Sequence, residues 1–238
     1  MRPDAPAAQA EPLLGLPQPR ALAINAALAA LFAAYFWIVY GACDALAAHA
    51  AWRYHVALPF ESMIPFLPWA AAIYLTITPF LCLALVVLRT PQRMLPLFAT
   101  LCAEVTIAGV IFFLFPVELS FPPHEVPGAA GVVYGWARTV ALTYNCVPSL
   151  HVTLALTAAW AFAQVGGTRW RLLVWSWAGA IAVSTLLIHH HHLVDLAAGA
   201  ALTAICVRFV PPRVRNRQGM RALRASGLPH AQGAARRA

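Results

Sequence analysis

"LLIHHHHLVDLAAG", residues 186–199, sets four consecutive histidines and one aspartate inside an otherwise apolar run. The apolar stretches that meet there, about 172–188 and 192–210, are each close to the roughly 20 residues an α-helix needs to cross a bilayer. A polar turn between two such stretches reads as the tip of a membrane hairpin. Ionisable groups so placed are costly and call for a use. The run is internal, four residues long and flanked by hydrophobic sequence on both sides, so it is not an appended tag.

Composition agrees with a membrane setting. The 238 residues are 61% hydrophobic and only 10% charged, with a mean hydropathy of +0.71. A soluble domain of this length would expose far more charge. The same scan finds four further apolar segments, about 21–42, 68–88, 95–115 and 149–165. The fold class expected is therefore all-α, a polytopic membrane protein with a six-transmembrane-helix bundle. Its divisions are a cytoplasmic N-terminal segment (1–20), a six-span catalytic domain (21–210) and a basic, disordered cytoplasmic tail (211–238). The Pro- and Ala-rich first twenty residues lack the apolar core of a cleavable signal peptide. Pro79 interrupts the second span and is expected to kink it, because it brings no amide hydrogen to the helix ladder. The five cysteines, Cys43, Cys82, Cys102, Cys146 and Cys206, form no C-x-x-C pair and read as buried, inert thiols.

All sixteen basic residues are arginine, giving a net charge of +8. With six spans, fourteen of them fall on the side that carries both termini and the turns "RTPQR" and "GGTRWR". Only Arg53 and Arg138 fall on the other. This bias marks a membrane topology rather than nucleic-acid binding, and it puts both termini in the cytoplasm. The loops 43–67 and 116–148 and the turn near 189–192 then face outward, as expected for a plasma (inner) membrane protein.

That topology brings two remote stretches to one face. "YNCVPSLHV" (144–152) enters the fourth span, and Pro148 followed by Ser149 is a helix-start signal, with Ser149 able to cap. A helix N-terminus offers free amide donors and the positive end of a dipole, which suits a phosphate. His151 sits in that first turn. His191 and Asp195 are four apart and share a helix face. A carboxylate there can hold one imidazole nitrogen and leave the other free as a nucleophile.

These residues resemble the type 2 phosphatidic acid phosphatase superfamily, whose signature is K-x-x-x-x-x-x-R-P, then P-S-G-H, then S-R followed by five residues, H, three residues and D. "PSLH" (148–151) matches the second part, and Ser184, His191 and Asp195 keep the spacing of the third, which singles out His191 from the four histidines. "PSLH" for "PSGH" and the "HHxxD"-like third part look more like the inositol phosphorylceramide synthase branch. Thr185 stands where the family has its arginine, and the first part is absent. The resemblance implies a lipid phosphatase or phosphotransferase. His191 would attack phosphorus, Asp195 would hold its tautomer, and His151 would protonate the leaving oxygen. Ser149, Ser184 and, as the nearest outward cation, Arg138 would bind phosphate. It implies no cofactor and no metal, a lipid phosphate substrate, membrane lipids as surroundings and no nucleic-acid partner; the oligomeric state is not read from sequence.

Plainer roles stand beside these. His189, His190 and His192 read as interfacial polar residues, Ser149 as a cap alone, and Ser184 and Thr185 as bonding to their own helix. Glu104, in the middle of the third span, reads as helix pairing or a polar path, and Asn25 as helix glue. The competing class is a non-enzymatic histidine-rich metal-binding or transport protein, with the run and Asp195 holding zinc or copper. That reading leaves "PSLH" unexplained.

Overall fold

A computed structural model of the protein describes residues 14–122 and 124–209, so the basic tail expected at 211–238 lies outside the described residues. The described chain is helical, with no strand beyond two isolated bridges, Tyr54 with Val117 and Val117 with Asn145. Every apolar segment anticipated above contains helix. α1 spans Pro19–Ala48; the second segment is broken into α2 (Ala70–Tyr74), α3 (Ile77–Cys82) and α4 (Ala84–Val87); α5 spans Pro91–Leu114. α6 (Gly128–Ala141) is followed by α7 (Leu150–Ala163), α8 (Thr168–Leu187) and α9 (Leu193–Phe209).

Among the described residues, four helical stretches are long and apolar enough to cross a membrane: Pro19–Ala48, Ala70–Val87, Pro91–Leu114 and Thr168–Leu187. α7 has 14 residues, or roughly 21 Å at 1.5 Å per residue, short of a hydrocarbon core of about 30 Å. α9 is helical up to Phe209, the last described residue. Of the six spans expected, four are thus met by length and composition among the described residues.

Pro79 acts as expected. An unbroken helix would have it donate to the carbonyl of Leu75, which a proline cannot do and which its ring crowds. The break falls there, at Leu75–Thr76, and the ladder resumes with Phe80 N–H to Thr76 C=O at 2.9 Å.

α7 is the centre of the bundle. It has no polar face, and eleven of its fourteen residues are buried, many of them alanine. Small side chains let α8, α9, α5 and α3 pack closely around it. Gly199 of α9 marks the tightest approach, since a Cβ there would lie 2.7 Å from the Ser149 carbonyl oxygen and 3.1 Å from Thr153 Oγ1. At the far end of α7 two last-turn carbonyls are satisfied from α8, by Trp170 Nε1 to Phe162 O (2.9 Å) and Arg171 Nε to Ala163 O (3.0 Å). α1 lies outermost along α5. Only Asn25, Tyr40, Cys43 and Ala47 of its thirty residues are buried, and Leu31, Trp37, Ile38 and Leu46 turn outward, as suits a lipid-facing helix.

The loops gather at the end of the bundle where α7 begins. Backbone bonds join Tyr54 to Pro116 and Glu118 (2.9 and 3.0 Å), and the amides of Thr143 and Tyr144 both donate to Asp44 Oδ1 (2.9 and 2.8 Å). One element there was not anticipated. The loop 116–148 contains α6, a 14-residue helix whose glycines at 128, 131 and 135 obscure its helical pattern.

Candidate active site

The site is assembled from two helix beginnings and one helix end. α8 stops with a left-handed residue: His189 has φ 55°, its N–H reaches Leu186 O (2.9 Å), and the N–H of His190 reaches Thr185 O (3.0 Å). This is the pairing of a Schellman stop, with histidine where glycine is usual. The chain turns sharply and re-enters the bundle as α9. Asp195, fully buried in the first turn of α9, accepts the N–H of His192 (2.9 Å) and His191 Nδ1 (2.9 Å) on the same oxygen, Oδ2. That bond leaves Nε2 of His191 free.

The second beginning is α7. Ser149 caps it, its hydroxyl oxygen accepting from Val152 N–H (3.5 Å). The amide of Ser149 donates to the backbone carbonyl of Asp195 (3.0 Å). The two motifs are therefore joined directly, main chain to main chain, and the Ser149 amide expected to face a phosphate is already engaged. Amides of the α7 first turn that remain are those of Leu150 and His151, which by helix geometry have no acceptor within α7.

His151 lies one residue further. Its ring stacks on Tyr74 of α2 (3.9 Å between centroids, 19°), and its centroid is 6.4 Å from that of His191. Two cavities border this pair. One, of about 250 Å³, is almost wholly apolar; α1, α3, α5 and α7 form it, and His151 borders it together with Tyr40, Leu81 and Leu154. The other, of about 220 Å³, is the more polar of the two and is bordered by His191, His190, His189, Asn145, Tyr134 and Arg138. Arg138, in the last turn of α6, thus shares a cavity with His191. Burial, with His191, Arg138 and His189 close by, pushes His190 down to about 3. It is neutral at physiological pH, and Arg138 brings a guanidinium to this cavity.

Ser184 is not brought to the cavities. It is buried, its hydroxyl donates to Ile181 O (2.7 Å) within α8, and it lines neither space. Thr185 likewise bonds its own helix, at Ala182 O (2.7 Å).

His189, His190 and His192 differ from the interfacial residues expected, since all three are buried. His189 is held by the Ile64 carbonyl (3.0 Å) and by His124 Nε2 (2.9 Å). A carbonyl only accepts, so Nε2 of His189 donates to it and Nδ1 accepts from His124. Burial and the nearby His189 lower His124 from its ordinary value. His192 accepts the Ser120 amide on Nε2 (3.1 Å) and bonds Glu61 through Nδ1. Phe121 stacks against both rings (4.1 and 4.6 Å). The histidines thus go to separate partners, and among the described residues no three His, Cys, Asp or Glu side chains form a group that could hold a metal ion.

Other readings are adjusted in the same way. Glu104 is fully buried and accepts from Thr157 Oγ1 of α7 (2.5 Å), which is helix pairing. Asn25 is buried on α1 with neither amide atom hydrogen-bonded. All five cysteines are free; Cys43, Cys146 and Cys206 are buried, whereas Cys82 is exposed and Cys102 intermediate. Glu61, Tyr74, His124 and Asn145 border or brace the site and were not singled out in the sequence. Only Glu61, a carboxylate in the apolar loop "LPFESM", left any sign there.

A model of the PAP2 superfamily matches residues 46–209, which takes in the site and every helix but the first part of α1. No curated protein and no solved structure matches the chain.

Proposed function

Because the chain belongs to the PAP2 superfamily, whose members are phosphoric ester hydrolases, we propose that it cleaves or transfers the phosphate of a membrane lipid through a phosphohistidine on His191. The observation that carries this reading is the placing of His151 and His191 side by side, one on an apolar cavity and the other on a polar cavity that holds Arg138. A near-attack contact and a proton-donating hydrogen bond each need about 3 Å. With ring centroids 6.4 Å apart, the two side chains are near enough for one phosphoryl ester to engage both.

In the first step Nε2 of His191 forms a bond to phosphorus, and the phosphorus–oxygen bond to the lipid alcohol breaks. His151 gives that oxygen its proton. The imidazole of His191 gains positive charge, and Asp195, which holds Nδ1 at 2.9 Å, offsets it. Asp195 Oδ1 is buried without a hydrogen-bond partner, so the carboxylate gains most when the ring beside it becomes cationic. In the second step His151 takes a proton from water or an acceptor alcohol, whose oxygen attacks phosphorus and frees His191. Arg138 and the first amides of α7 bear the equatorial oxygens. Ser149 serves by capping α7 and tying it to α9, and Ser184 by its helix bond, rather than by direct phosphate contact.

The bundle would cross the membrane six times, with α7 inserted as a short helix, the termini cytoplasmic and the site outward on the plasma membrane. The form "PSLH" and the paired histidines favour the inositol phosphorylceramide synthase-like branch over the simple phosphatases.

The test is turnover of a panel of lipid phosphates by purified protein, with and without candidate alcohols, together with trapping of phosphate on the protein by an alkaline, denaturing quench. Wild type should form an acid-labile, base-stable phosphoprotein. His191→Asn should abolish it and lower turnover on the order of 10⁴-fold or more. Were His190 or His192 the residue that carries the phosphate, the assignment of the nucleophile would be wrong.

A further inference from the structure

Asp195 is not the only carboxylate that grips the histidine turn. Glu61 sits in the short 3-10 helix Pro59–Met63 of the first long loop and is almost completely buried. Its Oε1 accepts the amide of Leu193 (2.8 Å) and its Oε2 meets Nδ1 of His192. Nε2 of His192 accepts the amide of Ser120, from the second long loop. A backbone N–H can only donate, so Nδ1 carries the ring proton and donates to Glu61. Glu61 thus holds His192 by its ring and by the N–H of the next residue, while the N–H of His192 itself, in the preceding peptide, lies 2.9 Å from Asp195 Oδ2, the oxygen that also holds His191. The turn is clamped on both sides, by Asp195 from within α9 and by Glu61 from the loop.

We propose that Glu61 is a positioning residue for the nucleophile: it fixes the 191–193 turn so that Asp195 Oδ2 can hold His191 with its free nitrogen on the polar cavity. The proposal rests on the reaction proposed above. Glu61 touches no reacting atom. It acts through His192 and Leu193, and it makes the two outer loops part of the catalytic geometry rather than a cover over it. Groups that orient a reacting imidazole at one remove commonly contribute 10- to 100-fold.

Glu61→Gln separates this role from bulk. A carboxamide keeps the size and an oxygen for the Leu193 amide, but turns an N–H₂ toward the Nδ1–H of His192. The ring cannot change tautomer without setting Nε2–H against the Ser120 amide. Lipid-phosphate turnover by the full-length protein should then show kcat lower by about 10- to 100-fold with KM within about twofold. In proton NMR of ¹⁵N-histidine-labelled protein, the Nδ1 proton shared by His192 and Glu61 should vanish, and that shared by His191 and Asp195 should move. Glu61→Gln combined with His192→Asn restores complementarity, because the asparagine oxygen can face the carboxamide N–H₂. That double variant should recover part of the lost kcat and a His191 signal close to wild type.

Wild-type kcat in Glu61→Gln, a loss confined to KM, an unmoved His191 signal, or a double variant no better than the single would each overturn the proposal. If Glu61→Gln does not fold, the double variant is compared with wild type, and a displaced His191 signal there overturns it equally. Absence of phosphate release and of phosphoprotein in the wild type would instead strike the proposed reaction. The NMR comparison would still decide whether Glu61 positions His191.

Discussion

Four adjacent histidines occupy four different environments, and the difference comes from what each nitrogen meets. His189 and His192 use both ring nitrogens to hold loop segments. His190 is packed between Tyr74 and Tyr134 with Nδ1 unbonded. His191 has one nitrogen on Asp195 and one to spare. The pair His151 and Asp195 should therefore fail in distinguishable ways. His151→Ala removes the proton donor, so alkyl phosphates, whose alkoxide leaves poorly, should suffer most and aryl phosphates should be partly spared. Asp195→Asn keeps size but loses the charge that holds Nδ1 of His191, and should lower both kinds of substrate alike, by about 10²- to 10⁴-fold. Comparison of kcat/KM on the two substrates reads the difference. Equal loss of both in a folded His151→Ala protein would make His151 a binding residue instead.

Among the elements, α7 decides the site because it joins the core to the chemistry. Its buried small residues let α9 come close enough for Asp195 O to receive the Ser149 amide at 3.0 Å. Gly199 is the residue that permits this approach, with Val152, Thr153 and the Ser149 carbonyl on its open side. A methyl group in that space must push α9 from α7. Gly199→Ala is expected to lower stability by about 1–3 kcal/mol, as overpacking usually does, seen as a lower Tm in detergent. Activity should fall further than stability, because the same shift stretches the bond between the two motifs. An unchanged Tm with full turnover would show that the helices accommodate the methyl group. The second span teaches a related point. Pro79 marked a break from its chemistry alone, whereas α6 escaped notice, because its three glycines and modest length leave little helical signal in a loop. Arg138 was legible as a cation on the right loop. That it stands in the last turn of a helix and borders the cavity of His191 was not.

For the molecule as a whole, the arginine bias predicts a topology that labelling can check. Cysteines placed at Arg53 and Arg138 should react with an impermeant reagent from outside intact cells, and one placed at Arg169 should not. Protection of the first two sites would overturn an outward-facing site. Helical membrane class, the place of each apolar segment, the pairing of His191 with Asp195 and the closeness of "PSLH" to the histidine turn were all present in the sequence. These rest on local chemistry, hydropathy over about 20 residues and a motif's spacing. The shared helix face expected for His191 and Asp195 is not what joins them, because His191 precedes α9 and its bond to Asp195 is made across the helix start. What only the tertiary structure decided depends on contacts between residues far apart in the chain. Glu61 reaches Leu193 and His192 across more than 130 positions, His124 and Ile64 meet His189, and Tyr74 lies flat on His151. The Ser149 amide was expected to be free for phosphate, and folding gave it to the carbonyl of Asp195. A side chain's type states which bonds it can make; which of them remain open is decided when buried polar groups must find partners wherever packing brings them.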